Sequence, residues 1–176
     1  MTELDVEIDE LGSSVVGHAT GNVLPTVVVP FKLLTFRHQA QLTAWRFDWL
    51  AESKQRARSV VALLVHGSRT IQGMMSFEPA EGFVFVHLVE SAPHNVGSNK
   101  LYSGVPGNLF AYVCARSFAL GSEGFVAFEA KSVLIEHYKV SLGARQLGSS
   151  NRMMIETPAA LRLVKQYYKD SDQWPS

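Results

Sequence analysis

The fold of this chain is decided by one stretch, residues 83–109, which reads FVFVHLVESAPHNVGSNKLYSGVPGNL. Its first eight residues are mostly β-branched or aromatic, which predicts a strand. The middle is rich in Pro, Asn, Gly and Ser, which predicts an irregular loop. A Gly-x-x-Gly turn at Gly104 to Gly107 then opens a helical pattern. A strand, a loop and a glycine turn before a helix predict a site for a phosphate-bearing cofactor at the helix N-terminus.

The segments on either side of this stretch extend it into one sheet. Strand-like runs over 59–66 and 71–78 are joined to 83–90 by short connections, which predicts an antiparallel meander. A helix over 105–120 separates the meander from a strand at 124–131, and such a crossover favours parallel pairing. The sequence therefore predicts an α/β (α+β mixed) fold with a mixed, mostly antiparallel sheet and helices on both faces.

The remaining elements are predicted from turn and helix signals. Residues 4–36 mix β-branched runs with turn residues, which predicts two or three short strands. Leu42, Trp45 and Trp49 recur at helical spacing and predict one amphipathic helix over 39–52. Further predicted elements are a helix capped by Ser132 and ended by Gly143, a strand over 152–156, and a helix from Pro158. The predicted organisation is one domain over 1–176, with N-terminal strands over 1–36, a core over 59–170 and a frayed tail over 171–176.

Composition restricts the classes of function. Lys plus Arg and Asp plus Glu both number 16, so the formal charge is zero and a nucleic-acid partner is disfavoured. The acidic start of the chain lacks the pattern of a secretory signal, and the apolar runs are too short to span a membrane. With the lone Cys114 interpreted as a buried apolar residue, these features predict a cytoplasmic protein that does not contact membranes.

Histidines give no metal-binding pattern. The six histidines do not stand at ligand spacing with a third ligand nearby, so no metal site is predicted. His87 lies among apolar strand residues, and His94 and Asn95 lie in the loop that follows. These three are candidates for lining a substrate groove, with packed or solvated roles as the alternatives.

The order of elements over residues 59–168 resembles the GNAT N-acetyltransferase superfamily. The resemblance is carried by the strand at 83–90, the turn at 102–109, and a helix that reads Leu134-Ile-Glu-His-Tyr138 and ends Leu142-Gly143-Ala144. That helix is similar to the family's pattern of Tyr, three residues and Leu-Gly-Phe. The resemblance implies an N-acyltransferase that moves an acyl group from acetyl-CoA, or another acyl-CoA, to an amine by direct attack in a ternary complex. The acceptor would be a small molecule or a peptide.

The resemblance also implies roles for particular residues. Main-chain N–H groups between Ser103 and Asn108 would hold the pyrophosphate, and the pantetheine arm would run beside the end of the strand. Tyr138 would protonate the departing thiolate and Glu90 would accept the amine proton. A core aromatic and a salt-bridged strand end are the respective alternatives. The full set of implied cofactor-binding residues is Leu88, Val89, Ser103, Gly104, Val105, Gly107, Asn108 and Lys131.

Three positions depart from the family pattern. Leu101 stands where Gln or Arg is expected, Pro106 where the second Gly or Ala belongs, and Lys131 where many members carry Asn. These departures prompt an alternative function, a catalytically inactive CoA-binding or protein-interaction module on the same fold. A third hypothesis is toxin-like acylation of aminoacyl-tRNA, which the neutral charge disfavours. The sequence is compatible with a homodimer.

Overall fold

The computed structural model describes residues 2–9, 11 and 14–168, and this part of the chain contains ten strands and five α-helices. The strands are β1 (Val15–Gly17), β2 (Val23–Leu24), β3 (Thr26–Pro30), β4 (Ser59–Val65), β5 (Ile71–Ala80), β6 (Phe83–Ser91), β7 (Tyr102–Ser103), β8 (Val126–Glu129), β9 (Arg145–Gln146) and β10 (Arg152–Ile155). The helices are α1 (Phe36–Ala40), α2 (Trp49–Ser53), α3 (Val105–Ala119), α4 (Ile135–Leu142) and α5 (Thr157–Tyr167). Short 3-10 turns cover Phe31–Leu33, Gln41–Ala44, Pro93–Asn95 and Ser132–Leu134.

Seven strands form one mixed sheet in the order β3-β4-β5-β6-β8-β10-β9. β3 to β6 are an antiparallel meander, and β8 and β10 also pair antiparallel. The pairing of β6 with β8 is parallel, as the intervening helix predicts. A second, three-stranded sheet has the order β2-β1-β7. The mixed α/β fold class and the three predicted meander strands are confirmed.

The sheet separates two apolar cores. The longer helices α3, α4 and α5 pack on one face, where Phe110, Phe128 and Val164 are fully buried. The opposite face is covered by α2 and the neighbouring 3-10 turn, with Trp49 packed against Met74. Helices therefore lie on both faces, as expected for a sheet whose central strands are apolar throughout.

The prediction of one continuous helix over residues 39–52 is wrong. The chain instead forms α1, a 3-10 turn, a non-helical segment over 45–48 that bends at 45–47, and α2. The Asp48 side chain accepts a hydrogen bond from the Ala51 N–H at 3.0 Å, so a new helix begins at Trp49. The apolar spacing that suggested a continuous helix reflects two short elements that bury Leu42 and Trp49 against the same sheet face.

Predicted helix ends agree better with the structure where glycine sets them. Gly143 ends α4 in the left-handed conformation, with φ of +69°. Gly104 precedes α3 with φ of +90°, so the helix begins one residue after the predicted turn glycine. Ser132 opens a 3-10 turn, and α4 itself begins three residues later at Ile135. The expected frayed tail over 171–176 lies outside the described residues.

Candidate active site

The parallel strands β6 and β8 separate almost as soon as they pair. Their register contains only two pairs, Val84 with Val126 and Phe85 with Ala127. In the pairing of β6 with β5, Phe77 faces Val86 and Ser76 faces Leu88, so His87 is an extra residue at a β-bulge. A bulge bends its strand and increases its twist. β6 therefore turns away from β8 at His87 and opens a wedge between the two strands.

The start of the chain fills this wedge. We call residues 4–9 the N-terminal strap. The Leu4 N–H donates to the Glu129 carbonyl at 2.7 Å, and the Lys131 N–H donates to the Leu4 carbonyl at 2.9 Å. These bonds place Leu4 in a parallel bridge with Ala130. The strap thus continues the edge of β8 where β6 has left it.

Helix α4 holds the middle of the strap through two side chains. The Tyr138 hydroxyl donates a hydrogen bond to the Val6 carbonyl at 2.5 Å. The Ile8 N–H donates to His137 Nε2 at 2.8 Å, so this ring nitrogen carries no proton. Burial raises the pKa of the Tyr138 phenol, and the nearby carboxylates of Asp5 and Glu7 raise it further. Tyr138 is therefore a neutral donor at physiological pH.

The end of the strap meets the start of α3. The Gly104 N–H donates to Asp9 Oδ1 at 3.0 Å, and Lys100 Nζ lies 3.0 Å from Asp9 Oδ2. The partial positive charge at a helix N-terminus stabilises an anion there. A carboxylate of the chain itself therefore binds at the helix start where a pyrophosphate was predicted.

A cavity of about 720 Å³ lies between the strap and the end of β6. Its lining includes the strap residues Asp5 and Glu7, the strand residue Val89, and the cationic residues Arg46 and Lys100. Arg46 Nη1 contacts Asp5 Oδ2 at 2.7 Å. Of the residues that the sequence singled out, Val89, Glu90 and Asn95 line this cavity.

Glu90 is held by the segment that enters α2. Its Oε2 accepts from the Arg46 N–H at 2.7 Å, and its Oε1 accepts from the Phe47 N–H at 3.0 Å and Trp49 Nε1 at 2.9 Å. Both carboxylate oxygens are therefore engaged. The arrangement gives Glu90 a structural task, fixing the non-helical segment at residues 45–48 against the end of β6.

Comparisons with known proteins give low similarity. No protein-family model matches the chain, and no curated protein sequence matches it. A solved structure described as an acyl-CoA N-acyltransferase from Klebsiella pneumoniae aligns over 73% of this chain and 95% of its own, with 16% identity and a TM-score of 0.47. A variant of the cAMP-binding acyltransferase from Mycobacterium smegmatis gives 12% identity and a TM-score of 0.47 over 86% of this chain. The chain spans 56% of that protein's length.

The topology is more informative than these scores. An antiparallel meander is followed by a helix, a parallel strand that separates from its neighbour, and a second helix that places Tyr138 beside the separation. The architecture is GNAT-like. This agrees with the element order from which the resemblance was drawn.

In this GNAT-like frame, the predicted pyrophosphate loop is tightly packed. Ser103, Val105, Gly107 and Asn108 are all buried. Asn108 Nδ2 donates to the Gly104 carbonyl at 2.9 Å, and its Oδ1 accepts from the Thr26 hydroxyl at 3.1 Å. These groups stabilise the first turn of α3.

The predicted substrate residues of the loop after β6 bond to β5. Asn95 Nδ2 donates to Gln72 Oε1 at 2.8 Å, and its Oδ1 accepts from the Tyr102 N–H at 3.0 Å. His94 Nε2 lies 2.9 Å from the same Gln72 oxygen, and burial lowers the pKa of His94. These bonds fix the shape of the loop beside the cavity.

His87 and Leu88 lie on the opposite side of the sheet from α3. Leu88 belongs to the second core with Trp49. His87 Nε2 lies 3.4 Å from Glu78 Oε1 and makes no hydrogen bond within the described part of the chain. Burial lowers the pKa of His87, and the Arg58 charge lowers it further. Alternation along β6 places His87 on this face, and the bulge places Leu88 there as well.

Lys131 lies at the end of β8, next to the strap. Its side chain is 54% exposed and its Nζ lies 3.6 Å from Asp5 Oδ2. Its main-chain N–H donates to the Leu4 carbonyl of the strap.

Among the described residues, no group of three potential metal ligands comes together. Within the same described residues, no helix is both long enough and apolar enough to cross a membrane.

An acyl-CoA does not fit the wedge while the strap is docked. The main chain of Val6 and Ile8 runs through it, and Asp9 takes the Gly104 N–H. Pro106, the second residue of α3, has no N–H to offer. The carboxylates of Asp5, Glu7 and Asp9 would also repel a diphosphate.

Sequence reasoning missed the strap and the bulge. Leu4, Val6 and Ile8 alternate with acidic residues, a period of two that is typical of a half-buried strand. The bulge left no such signal, because Leu88 and Val89 are both apolar and only the structure places Val89 in the core with Val84 and Val86. The pattern of the strap was visible but short.

Proposed function

We propose that this chain is an acyl-CoA-dependent N-acyltransferase of the GNAT type, with acetyl-CoA as the first donor to test. One observation carries the proposal. β6 and β8 separate after two residue pairs, and both the glycine-led N-terminus of α3 and the Tyr138 phenol meet the wedge that results. A phosphate-bearing ligand with a long arm suits a helix N-terminus that opens into a groove between strands.

The acceptor proposed is a small-molecule or peptide amine. The cavity beside the wedge has a volume of about 720 Å³ and is lined by Val89 and Glu90 at the end of β6, so an acceptor has room next to the wedge. Tyr138 is proposed as the proton donor, because its buried phenol stays protonated and points into the wedge.

Coenzyme binding and coenzyme turnover test this proposal separately. Acetyl-CoA should raise the melting temperature, with a stabilisation that grows as the logarithm of one plus the ratio of ligand concentration to dissociation constant. Release of free CoA thiol, followed with a thiol reagent over a panel of amines, should then identify turnover. Absence of binding by the native protein and by a variant with a weakened strap would refute the proposal.

A second candidate is supported by the docked strap itself. Residues 4–9 use the groups that an acyl-CoA would need, which suits a catalytically inactive module that has replaced the coenzyme by its own chain. This module would show no CoA release with any amine, whether or not the strap is opened. Thiol release above the rate of the protein-free control would exclude it.

A further inference from the structure

Apolar and acidic residues alternate along the strap. Leu4 and Ile8 are 3% and 7% exposed and belong to the main core, with Val6 packed against it. Asp5 and Glu7 lie between these residues in sequence, Asp9 follows them, and all three carboxylates line the cavity. The alternation lets one face of the strap bury apolar surface while the other presents carboxylates.

The acidic face is matched by cations that converge on it from separate elements. Arg46 and Lys131 contact Asp5, and Lys100 contacts Asp9. Arg46 precedes α2, Lys131 follows β8, and Lys100 lies in the loop before β7. Cations from three elements around one groove would suit an anionic occupant of that groove.

Three of the contacts that anchor the strap use groups of different kinds. The main-chain edge of β8 binds Leu4, the Tyr138 phenol binds the Val6 carbonyl, and the Gly104 N–H binds the Asp9 carboxylate. A main-chain amide, a phenol and a helix N-terminus are also what a ligand with an amide-bearing arm and a phosphate would use.

We propose that the N-terminal strap is an autoinhibitory ligand carried by the chain itself, docked in the wedge in competition with the coenzyme. This inference rests on the proposed acyl-CoA function. The Asp9 carboxylate occupies the anion position at the start of α3, and the strap's main chain occupies the arm position along β8. Coenzyme binds only to molecules whose strap has left the wedge, so its apparent dissociation constant equals the intrinsic constant divided by the undocked fraction.

Weakening one anchor tests the competition. Asp9→Ala removes the acceptor of the Gly104 N–H and the partner of Lys100. A hydrogen bond to a charged group stabilises the docked strap, so its loss raises the undocked fraction. Coenzyme affinity should therefore rise roughly tenfold to hundredfold. Glu136→Ala is the matched control, because it removes another carboxylate that pairs with a lysine, in this case Lys139 on the surface of α4. Titration calorimetry with acetyl-CoA measures both.

A reversible lock tests the same point in one protein. Leu4→Cys with Ala130→Cys places two thiols across the bridge, and neighbouring strands lie about 4.8 Å apart, within disulfide range. The native Cys114 is buried and does not compete. The oxidised form should bind acetyl-CoA at least roughly tenfold more weakly than the same sample after reduction. Each single cysteine variant controls for the lost side chain.

The outcomes distinguish the proposed role of the strap from the proposed acyl-CoA function on which it rests. Tighter binding by Asp9→Ala, together with redox-dependent binding by the double-cysteine variant, supports the strap as a competitor. Equal binding by native protein, Asp9→Ala and both redox states would overturn the strap's role and leave the acyl-CoA function standing. If no form binds acetyl-CoA at millimolar concentration, both the function and the inference are overturned.

Discussion

The hydroxyl of Tyr138 donates a hydrogen bond to the main-chain carbonyl of Val6 at 2.5 Å, joining helix α4 to a segment more than a hundred residues earlier in the chain. This single contact gives the residue two tasks. It satisfies a carbonyl within the wedge, and it holds the phenol where we propose a proton donor.

Tyr138→Phe should separate these tasks. Loss of the bond leaves the Val6 carbonyl without its donor, which should lower the free energy of unfolding by about 1–2 kcal/mol in urea titrations. With a true acceptor, turnover should also fall by roughly 10²–10⁴. Tyr112→Phe is the control, since it keeps the ring that packs on Phe77. Unchanged turnover in Tyr138→Phe would show that the phenol only anchors the strap.

Glu90→Ala should destabilise the segment that leads into α2. The change removes the acceptor of three donors, from Arg46, Phe47 and Trp49, and should cost about 2–3 kcal/mol in unfolding free energy. The emission of Trp49 should shift to the red, because the indole is 1% exposed in the native protein. Glu81→Ala, at an exposed turn, should have little effect. A stable Glu90→Ala protein that has lost only turnover would instead favour the general-base role.

Stability should fall as pH drops below about 6.5, because His87 and His94 have lowered native pKa values. Below the ordinary histidine pKa of 6.5, the unfolded chain binds protons that the native state resists, so unfolding becomes easier with acid until the native pKa is reached. His87→Gln should flatten the dependence of unfolding free energy on pH relative to the native protein in the same buffers. An unchanged slope in His87→Gln would contradict the assignment.

Gly104→Ala should destabilise the protein more than Gly82→Ala. Both glycines have positive φ, +90° and +82°, so either alanine strains the backbone by about 1–2 kcal/mol. At Gly104 a Cβ would also lie 3.1 Å from the Ser14 carbonyl, whereas nothing lies within 4 Å at Gly82. Urea unfolding of the two variants gives the difference. A smaller loss at Gly104 would mean that the start of α3 relaxes freely.

Much of the fold was predictable because it depends on local patterns. The strands over 59–66, 71–78 and 83–90 appear within two residues of their expected ends. The helix from Val105 and the parallel crossover after it were predicted as well, since a whole helix between two strands forbids a hairpin. The broken segment over 39–52 was not, because the acceptor that holds it, Glu90, lies some forty residues away.

The candidate site divides in the same way. Val89 and Glu90 line the cavity and the Tyr138 hydroxyl reaches the wedge beside it, so these three predicted residues come near one another, while their roles stay predictions. His87 was expected near a substrate groove, yet it faces Glu78 on the side of the sheet away from α3, as its alternation with Val84 and Val86 requires. The bulge adds one residue and so reverses the faces of Leu88 and Val89, which composition does not reveal.

By itself, the sequence determined the order of elements, the sheet's mixed character and the glycine that begins α3, because periodicity and backbone freedom act over a few residues. Only the tertiary structure decided what lies between β6 and β8. The strap reaches its place by pairing Leu4 with Ala130 and Asp9 with Gly104, contacts between residues about a hundred positions apart. Such contacts depend on which groups the folded chain leaves facing one another, and no local pattern specifies them.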